Sequence, residues 1–459
     1  MKKMWYKLVK VPIYFPVIAG GYAQEVNVRK VMLALIALII FLPMSGCIYD
    51  GHMGISAQRP QKKQITLYSI QGDSAVNEVI ADSVSRFENN NSGFEVVHEL
   101  IPNDLYKNRL SVCAATNQMP DVFPTWSGSV LKEYIGIGGV VNLSTYMSKD
   151  DYSSRFNKKA LDMVTDKNGI WGVPVENMTI AMIFYNKNIY KVLNLSEPRD
   201  FNQLKKNIEI LKEHGYIPFA LANRTAWTGS MFYMYFVDRL GGPSVFDNAA
   251  NRKNNGSFDN EIFVKAGEMV QELVDMGSFP PGFNWMDEDA GDSRDLLYNN
   301  SAAMVLCGSW FLSNVKYENP KFYDDIGVFP FPAIPGGKGN PNNSIGTMGD
   351  NFYSIASSSH YIDDAFELIQ YLIDDSAVQK RIHAGKIPPV NNVVIQDPLT
   401  NEIFDFIKKS PNVQFWYDQY LPPKLSEAHL TLTRQIFGGE DPKRAAEKME
   451  EITKQYYNQ

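Results

Sequence analysis

The sequence predicts an α/β protein whose chain crosses between two helix-covered sheets. Residues 65–125 alternate strand and helix in a β-α-β-α-β order, which is typical of a parallel sheet. Two later segments, 169–187 and 346–356, each resemble a strand that stops at polar residues and then restarts. Such an interruption is typical of a chain that leaves the sheet of one domain and enters that of another. The length of 459 residues is enough for two or three domains.

The N-terminal region is predicted to be an export signal. An apolar run of 12 residues, 31–42, follows two basic residues and is too short to span a bilayer comfortably. The small residues before Cys47 resemble the lipobox of bacterial lipoproteins, in which the cysteine is acylated, although Met44 replaces the usual leucine. We therefore expect a signal peptide over residues 1–46 and a lipid-anchored tether over residues 47–63. The alternative is an ordinary signal peptide cut nearby, with Cys47 incidental.

Residues 1–28 contain a second apolar stretch broken by proline and fit a signal peptide poorly. A translation start near residues 26–32 is therefore expected.

The composition is acidic and poor in cysteine. The chain has 44 Lys and Arg against 51 Asp and Glu, a formal net charge of −7, and no basic tract follows Cys47. This balance argues against binding nucleic acid or anionic lipid head groups directly. Cys113 and Cys307 lie in apolar surroundings, which favours buried free thiols over a disulfide.

The first βαβ series places polar residues where ligands bind in such sheets, beyond the carboxyl ends of the strands. Gln71 and Asp73 follow the first strand, and Trp126 and Ser127 follow the third. Asp73 and Asp104 also suit helix N-caps. A tryptophan in a strand-to-helix loop favours a position in a cleft for Trp126.

The rest of the chain continues the alternation of helices and strands. Pro332 to Asn343 is rich in proline, glycine and asparagine and is predicted to be a loop, as is the polar tract 248–256. The predicted helices span 200–215, 227–240, 258–276, 363–373 and 444–457, and the predicted strands span 302–306 and 326–331.

The interrupted strand around Pro174 has two interpretations. It is either a crossing between domains or an ordinary edge strand with a kink at the proline. Glu176 and Asn177 fall in its polar centre, and Gly349-Asp350 mark a second candidate crossing.

Several catalytic signatures are absent. The glycines at 136–139 and 337–339 do not complete a dinucleotide or phosphate loop, and no GxSxG elbow surrounds Ser127. The six histidines have no metal-ligand spacing, so neither a metal nor a cofactor is predicted. Paired glycosidase carboxylates remain open, because the acidic residues are too many to single out a pair.

Aromatic residues provide the remaining functional signal. Six tryptophans sit beside small or polar residues in loops or at strand ends, where flat rings and polar groups together suit the apolar faces and hydroxyl edges of sugars. Packing accounts for some of them, first of all Trp171 beside its hairpin. The six are Trp126, Trp171, Trp227, Trp285, Trp310 and Trp416.

From about residue 64 to 457 the chain resembles the family 1 extracellular solute-binding proteins of ABC importers, which include maltose-binding protein. The resemblance rests on the order and spacing of four segments and on the lipobox. The segments are GIWGVP (169–174), FYNK (184–187), AAMVLCGSW (302–310) and GGEDP (438–442).

The resemblance implies the two-lobed periplasmic-binding-protein fold of type II, with parallel-sheet lobes joined by crossing segments around a ligand cleft. The implied first lobe spans 64–176 and 345–374, and the second spans 177–344 and 375–459. Trp310 corresponds to a stacking tryptophan, and Glu176 is either a ligand contact or a salt-bridged hinge residue. The implied ligand-binding set is Gln71, Asp73, Trp126, Ser127, Glu176, Asn177, Trp227, Trp285, Trp310, Asp350, Trp416 and Asp418.

The resemblance further implies a monomeric, non-enzymatic lipoprotein on the outer face of a bacterial membrane. It would capture a sugar or oligosaccharide by hinge closure and deliver it to an ABC permease. Two alternatives stay open: a surface glycoside hydrolase with two carboxylates about 5–9 Å apart in the same cleft, and a sensor lipoprotein that engages a signalling partner.

Overall fold

The computed structural model describes residues 62–71 and 74–458. The predicted signal peptide, Cys47, most of the tether and Asp73 lie outside these residues. Among the described residues, no helix is both long and apolar enough to cross a bilayer. The strands are β1 (Lys63–Gln71), β2 (Phe94–Pro102), β3 (Val122–Thr125), β4 (Thr165–Asp166), β5 (Gly169–Ile170), β6 (Val173–Pro174), β7 (Thr179–Asn186), β8 (Ile217–Ala220), β9 (Ala302–Gly308), β10 (Ile326–Phe329), β11 (Ser344–Thr347), β12 (Phe352–Ile355) and β13 (Val413–Gln414).

Eighteen α-helices accompany the strands in the described part of the chain. They are α1 (Ser74–Asn90), α2 (Asn103–Ala115), α3 (Ser129–Gly136), α4 (Ser144–Ser148), α5 (Lys158–Asp162), α6 (Lys187–Val192), α7 (Phe201–Glu213), α8 (Trp227–Gly241), α9 (Ser244–Ala250), α10 (Glu261–Asp275), α11 (Asp292–Tyr298), α12 (Phe311–Glu318), α13 (Ile362–Leu372), α14 (Asp375–His383), α15 (Pro398–Lys409), α16 (Tyr417–Tyr420), α17 (Pro423–Phe437) and α18 (Pro442–Tyr457).

Two sheets form the centres of two lobes. The sheet of the first lobe has the order β2-β1-β3-β12-β6, with β1 parallel to both β2 and β3. The sheet of the second lobe has the order β13-β11-β7-β9-β8, with β10 also paired to β7. The parallel arrangement holds for β1–β3 and for β8 with β9, whereas β7 runs antiparallel to β9, β10 and β11. In the first sheet β12 also runs antiparallel to β3 and β6, so both sheets are mixed rather than purely parallel.

The helices bury the stripes that their sequences predict. In α1 the buried side chains include Val76, Ile80 and Phe87, spaced four and seven residues apart on one face. Nearly every side chain of α8 from Thr228 to Arg239 is buried, which agrees with a helix in the interior. The tract 248–256 differs from its prediction, because α9 extends through Ala250.

Both interrupted strands cross between the lobes. β6 pairs with β12 in the first sheet, and β7, four residues further along, pairs with β9 in the second. The return follows the same route, because β11 belongs to the second sheet and β12 to the first. An edge strand kinked at Pro174 would stay in one sheet, so the crossing interpretation is the one observed.

The crossings are joined to each other by backbone hydrogen bonds. Glu176 N donates to Asn351 O at 3.2 Å, and Asp350 N donates to Asn177 O at 2.9 Å. The residues predicted from the two polar interruptions are therefore neighbours in space.

The predicted lobe boundaries at 345 and 375 differ from the strand and helix assignments. β11 keeps residues 344–347 in the second sheet because its amides pair with β7 and β13. α14 lies against α1 of the first lobe, where Lys380 Nζ is 2.5 Å from the Asp82 carboxylate. The chain therefore returns to the first lobe at β12, later than the predicted residue 345. It leaves the first lobe after α14, later than the predicted residue 375.

Candidate functional site

A cavity of about 570 Å³ opens beside the two crossings. Its wall combines residues from strand ends, from both crossings and from α8 and α16, so both lobes contribute to it. Nine of the twelve residues predicted to bind a ligand line it: Gln71, Trp126, Glu176, Asn177, Trp227, Trp310, Asp350, Trp416 and Asp418.

Three predicted residues do not belong to this wall as described. Ser127 is buried but does not line the cavity. Trp285 is 83% exposed in a short 3-10 helix and also lies apart from the lining. Asp73 is outside the described residues. The ligand-binding role of the other nine stays a prediction.

Three tryptophans of the second lobe form an aromatic wall. The ring centroid of Trp310 lies 5.6 Å from that of Trp227 and 5.9 Å from that of Trp416, both in edge-on arrangements. Trp310 lies two residues after the end of β9, and Trp227 begins α8. Edge-on neighbours fix the orientation of a ring and leave a face available for stacking.

Gly308 determines where the Trp310 ring lies. A Cβ atom at this position would come within 2.0 Å of Trp310 Cζ3, closer than such contacts allow. The glycine therefore lets the indole fold back over the end of β9.

Replacing Gly308 with alanine should displace the Trp310 ring without removing it. We expect ligand affinity to fall at least about tenfold, with an overpacking cost of about 1–3 kcal/mol in stability. Titration calorimetry with a ligand that binds the cavity measures the affinity, and urea unfolding measures the stability. Gly136→Ala is the matched control, because a Cβ there meets nothing within 4 Å. Unchanged affinity in Gly308→Ala would contradict the role assigned to the ring position.

The aromatic side chain from the first lobe is Trp126. It is almost fully buried, with its ring edge-on to Tyr106 at 5.6 Å. Lys107 Nζ lies 5.0 Å from the Trp126 centroid and 3.2 Å from the Asp418 carboxylate. Since Lys107 is on α2 of the first lobe and Asp418 is on α16, this ion pair joins segments that are far apart in the chain and borders the cavity.

Four buried polar atoms in the cavity-lining residues lack a hydrogen-bond partner among the described residues. Buried polar groups are almost always paired, so each such atom calls for an explanation. They are Asn177 Oδ1, Asn351 Oδ1, Trp227 Nε1 and Gln419 Oε1. One indole N–H donor and three amide oxygen acceptors are thus available to a polar ligand or to water.

Glu176 connects the cavity to the crossings. Its carboxylate accepts hydrogen bonds from Asn351 Nδ2 at 2.8 Å and from Tyr353 OH at 3.2 Å. Burial raises the pKa of Glu176, and the Asn351 hydrogen bond and the nearby Arg381 charge oppose that rise. Two roles were considered for Glu176. Its hydrogen bonds to Asn351 and Tyr353 favour the hinge role, and its position in the cavity wall is also compatible with ligand contact.

The wall also contains a cluster of three charged side chains, Arg294, Glu288 and Glu318, that was not predicted from the sequence. Arg294 binds Glu288 Oε1 at 2.5 Å through Nη1, and it binds both Glu318 oxygens through Nε and Nη2 at 2.8 and 3.0 Å. All three residues line the cavity. The signal in the sequence is the acidic run after Trp285, but the acidic residues are too many for the sequence to single out this group.

No group of side chains suited to a metal ion occurs in the described part of the chain. Cys113 and Cys307 are both free, as the sequence predicts, but only Cys307 is buried, whereas Cys113 is half-buried. Burial raises the pKa of the Cys307 thiol.

Two lobes joined by paired crossings, with a partly aromatic cavity beside them, define a hinged binding protein. Residues 69–379 match the family model described as bacterial extracellular solute-binding protein. The chain belongs to this family, which confirms the resemblance inferred from its motifs.

Curated relatives cover most of the chain. The multiple sugar-binding protein of Streptococcus mutans is 24% identical over 365 residues, which span 76% of this chain and 82% of the relative. The melibiose/raffinose/stachyose-binding protein MelE of Bacillus subtilis is 22% identical over 361 residues, spanning 76% of this chain and 78% of the relative.

Solved structures show the same fold. A structure from work on xylan utilisation by Caldanaerobius polysaccharolyticus has a TM-score of 0.79 and 24% identity, covering 85% of this chain and 99% of that one. A chitin oligosaccharide binding protein has a TM-score of 0.78 and 19% identity, covering 86% and 98%. The two-lobed fold predicted from the sequence is confirmed.

Proposed function

We propose that this protein captures a sugar or oligosaccharide in the cavity between its lobes and delivers it to an ABC permease. The observation that carries the proposal is the wall formed by Trp227, Trp310 and Trp416, together with buried polar atoms that have no hydrogen-bond partner among the described residues. Flat rings suit the C–H faces of a sugar, and isolated donors and acceptors suit its hydroxyl groups.

The size of the cavity agrees with a small carbohydrate. About 570 Å³ falls within the range of roughly 300–1,000 Å³ that ligand pockets occupy. The names of the relatives point to the same class, since multiple sugars, raffinose-type sugars and chitin oligosaccharides appear in them.

Closure of the lobes would place the ligand between Trp126 on one side and the three-tryptophan wall on the other. The crossings are short and are hydrogen-bonded to each other, which suits a hinge that absorbs the motion in a few residues. A ligand that touches both lobes favours the closed state by its differential affinity for that state.

Membrane attachment belongs to the same proposal. Acylation of Cys47 would hold the protein, as a monomer, on the outer face of the membrane near its permease. The lipobox-like residues before Cys47 support this part.

The test is thermal unfolding and tryptophan fluorescence of the purified protein against a panel of carbohydrates. The panel holds monosaccharides, raffinose, stachyose, xylo-oligosaccharides and chito-oligosaccharides. At a concentration one hundred times Kd, a bound sugar should stabilise the protein by about 2.7 kcal/mol. A saturable rise in melting temperature, with the sugar recovered intact, is expected.

Two outcomes would contradict the proposal. Sugar cleaved during the assay would indicate a glycoside hydrolase, and a full panel without any response would remove the carbohydrate assignment.

A further inference from the structure

The cavity wall holds more acidic side chains than basic ones. Among the described residues, six carboxyl groups and two basic groups line it. The carboxylates are Glu176, Glu288, Asp289, Glu318, Asp350 and Asp418, and the basic groups are Arg294 and Lys386. Low-dielectric walls of one sign concentrate the potential inside a cleft, so this wall disfavours an anionic ligand.

Arg294 is the natural candidate for binding a ligand carboxylate or phosphate, because its planar fork suits bidentate recognition. That fork is already occupied. Glu318 accepts from Nε and Nη2, and Glu288 accepts from Nη1 through both its carboxylate and its backbone oxygen. An anionic ligand would have to displace a carboxylate that is held by two hydrogen bonds.

The other basic groups near the cavity are also close to carboxylates. Burial raises the pKa of Glu176, and Lys386, which is itself buried, lies near enough for its charge to oppose that rise. Lys107 borders the cavity and is paired with Asp418. The positive charges of this region are therefore matched by protein carboxylates.

Carboxylate oxygens accept hydrogen bonds and, when ionised, cannot donate them. A neutral sugar hydroxyl can donate to such oxygens, whereas the carboxylate of a uronic acid can only accept. The wall is thus complementary to hydroxyl groups and repels an acid at the same position.

We infer that the site selects neutral sugars and rejects uronic acids and sugar phosphates, with the Glu288–Arg294–Glu318 group as the main determinant. This inference rests on the proposed function and narrows its substrate class.

The experiment compares matched ligands by titration calorimetry at pH 7. The series are galactose, galacturonic acid and the methyl ester of galacturonic acid; glucose, glucuronic acid and its methyl ester; and xylotriose with and without a glucuronic acid branch. In each series that contains a binder, the acid should bind at least about tenfold more weakly than its neutral parent. The methyl ester should recover most of the difference, because it removes the charge although it is slightly larger than the acid.

Glu318→Gln tests the determinant itself. The glutamine keeps an acceptor for Arg294 but removes one negative charge, so the ratio of neutral to acidic affinity should fall several-fold. Glu261→Gln is the matched control, since it removes the same charge from an exposed pair with Lys265 outside the cavity. The ratio in this control should match that of the unmodified protein.

The outcomes separate the two claims. The inference is overturned if an acid binds as tightly as its neutral parent. It is also overturned if the ratio of neutral to acidic affinity is the same in Glu318→Gln as in Glu261→Gln. Either result leaves the proposed sugar receptor in place. Rejection of the methyl ester as strongly as the acid also overturns it, because size would then be the cause. Absence of binding by every sugar, neutral or acidic, overturns the proposed function and this inference with it.

Discussion

Replacing Trp310 with alanine is expected to weaken carbohydrate binding about 30- to 140-fold, whereas Trp285→Ala leaves it unchanged. Trp310 is the central ring of the wall, since both Trp227 and Trp416 lie within 6 Å of its centroid. A buried aromatic anchor at the centre of a binding site contributes about 2–3 kcal/mol, and each 1.4 kcal/mol is tenfold in affinity.

Trp285→Ala is the matched control for Trp310→Ala, because it also deletes an indole but at a position outside the cavity. Both residues were candidate ligand contacts in the sequence, but Trp285 is 83% exposed and does not line the cavity. Titration calorimetry with the best sugar from the panel measures both variants, and circular dichroism checks that each one folds. Equal losses in the two variants, or the larger loss in Trp285→Ala, would place the binding surface elsewhere.

Trp310→Phe separates stacking from folding. Phenylalanine keeps an aromatic face and most of the packing against the core, so it should retain part of the affinity that alanine loses. An alanine-like loss in a well-folded Trp310→Phe would indicate that the indole N–H, rather than the ring face, carries the interaction.

The sequence located the crossings because polar residues interrupt strands that are otherwise apolar. β7 reads TIAMIFYN and is buried almost throughout, so the polar residues Glu176 and Asn177 stand out just before it. The direction of β7 could not be predicted. It depends on the route by which the chain enters the second lobe, and periodicity does not contain that information.

The prediction of Trp227 and Trp285 shows the limit for the site. Both are tryptophans beside small or polar residues, and sequence alone treats them equally. Trp227 begins a helix whose following residues are nearly all buried, whereas Trp285 lies in a three-residue turn. Tertiary packing distinguishes them.

The Glu288–Arg294–Glu318 group was missed for a related reason. Its members come from a loop and from two separate helices, and each resembles an ordinary solvated charge in sequence. Of the helices after residue 375, α18 was predicted but α14 to α17 were not, in part because polar residues occupy buried positions in them. In α17 the buried positions include Ser426, His429 and Thr433.

Arg239 holds the loop that leads into the return crossing. It is 1% exposed at the end of α8 and donates through Nη2 to Phe331 O and Asn343 O, both at 3.0 Å. Its Nη1 is 2.5 Å from the carboxylate of Asp238, which also accepts from Asn343 Nδ2. The loop is the one predicted from its proline and glycine content, and β11 begins directly after it.

The same loop completes the end of α8. Lys338 N donates to Leu240 O at 3.0 Å, and Gly339 N donates to Arg239 O at 3.1 Å. The last carbonyls of a helix lack partners within it, so these amides satisfy groups that would otherwise be orphaned. Gly339 is needed here because a Cβ would come within 1.9 Å of Asp238 O.

Replacing Arg239 with alanine is expected to lower the free energy of unfolding by about 3–5 kcal/mol. The variant leaves the Asp238 carboxylate buried without its counter-charge and two buried carbonyls without donors. Urea unfolding followed by circular dichroism measures the loss as a lower midpoint. The free energy of unfolding of Arg239→Lys should lie between that of Arg239→Ala and that of the unmodified protein, because an ammonium keeps the charge but cannot reproduce the planar fork.

Arg444→Ala is the matched control, because Arg444 is 79% exposed and pairs with Glu440 one helical turn away. Exposed pairs of this kind contribute about 0–1 kcal/mol, so the midpoint of this control should hardly move. A loss below about 1 kcal/mol in Arg239→Ala would mean that the loop 332–343 keeps its position without the guanidinium. In that case the amide contacts of Lys338 and Gly339 with the end of α8, rather than the buried ion pair, would hold the approach to the second crossing.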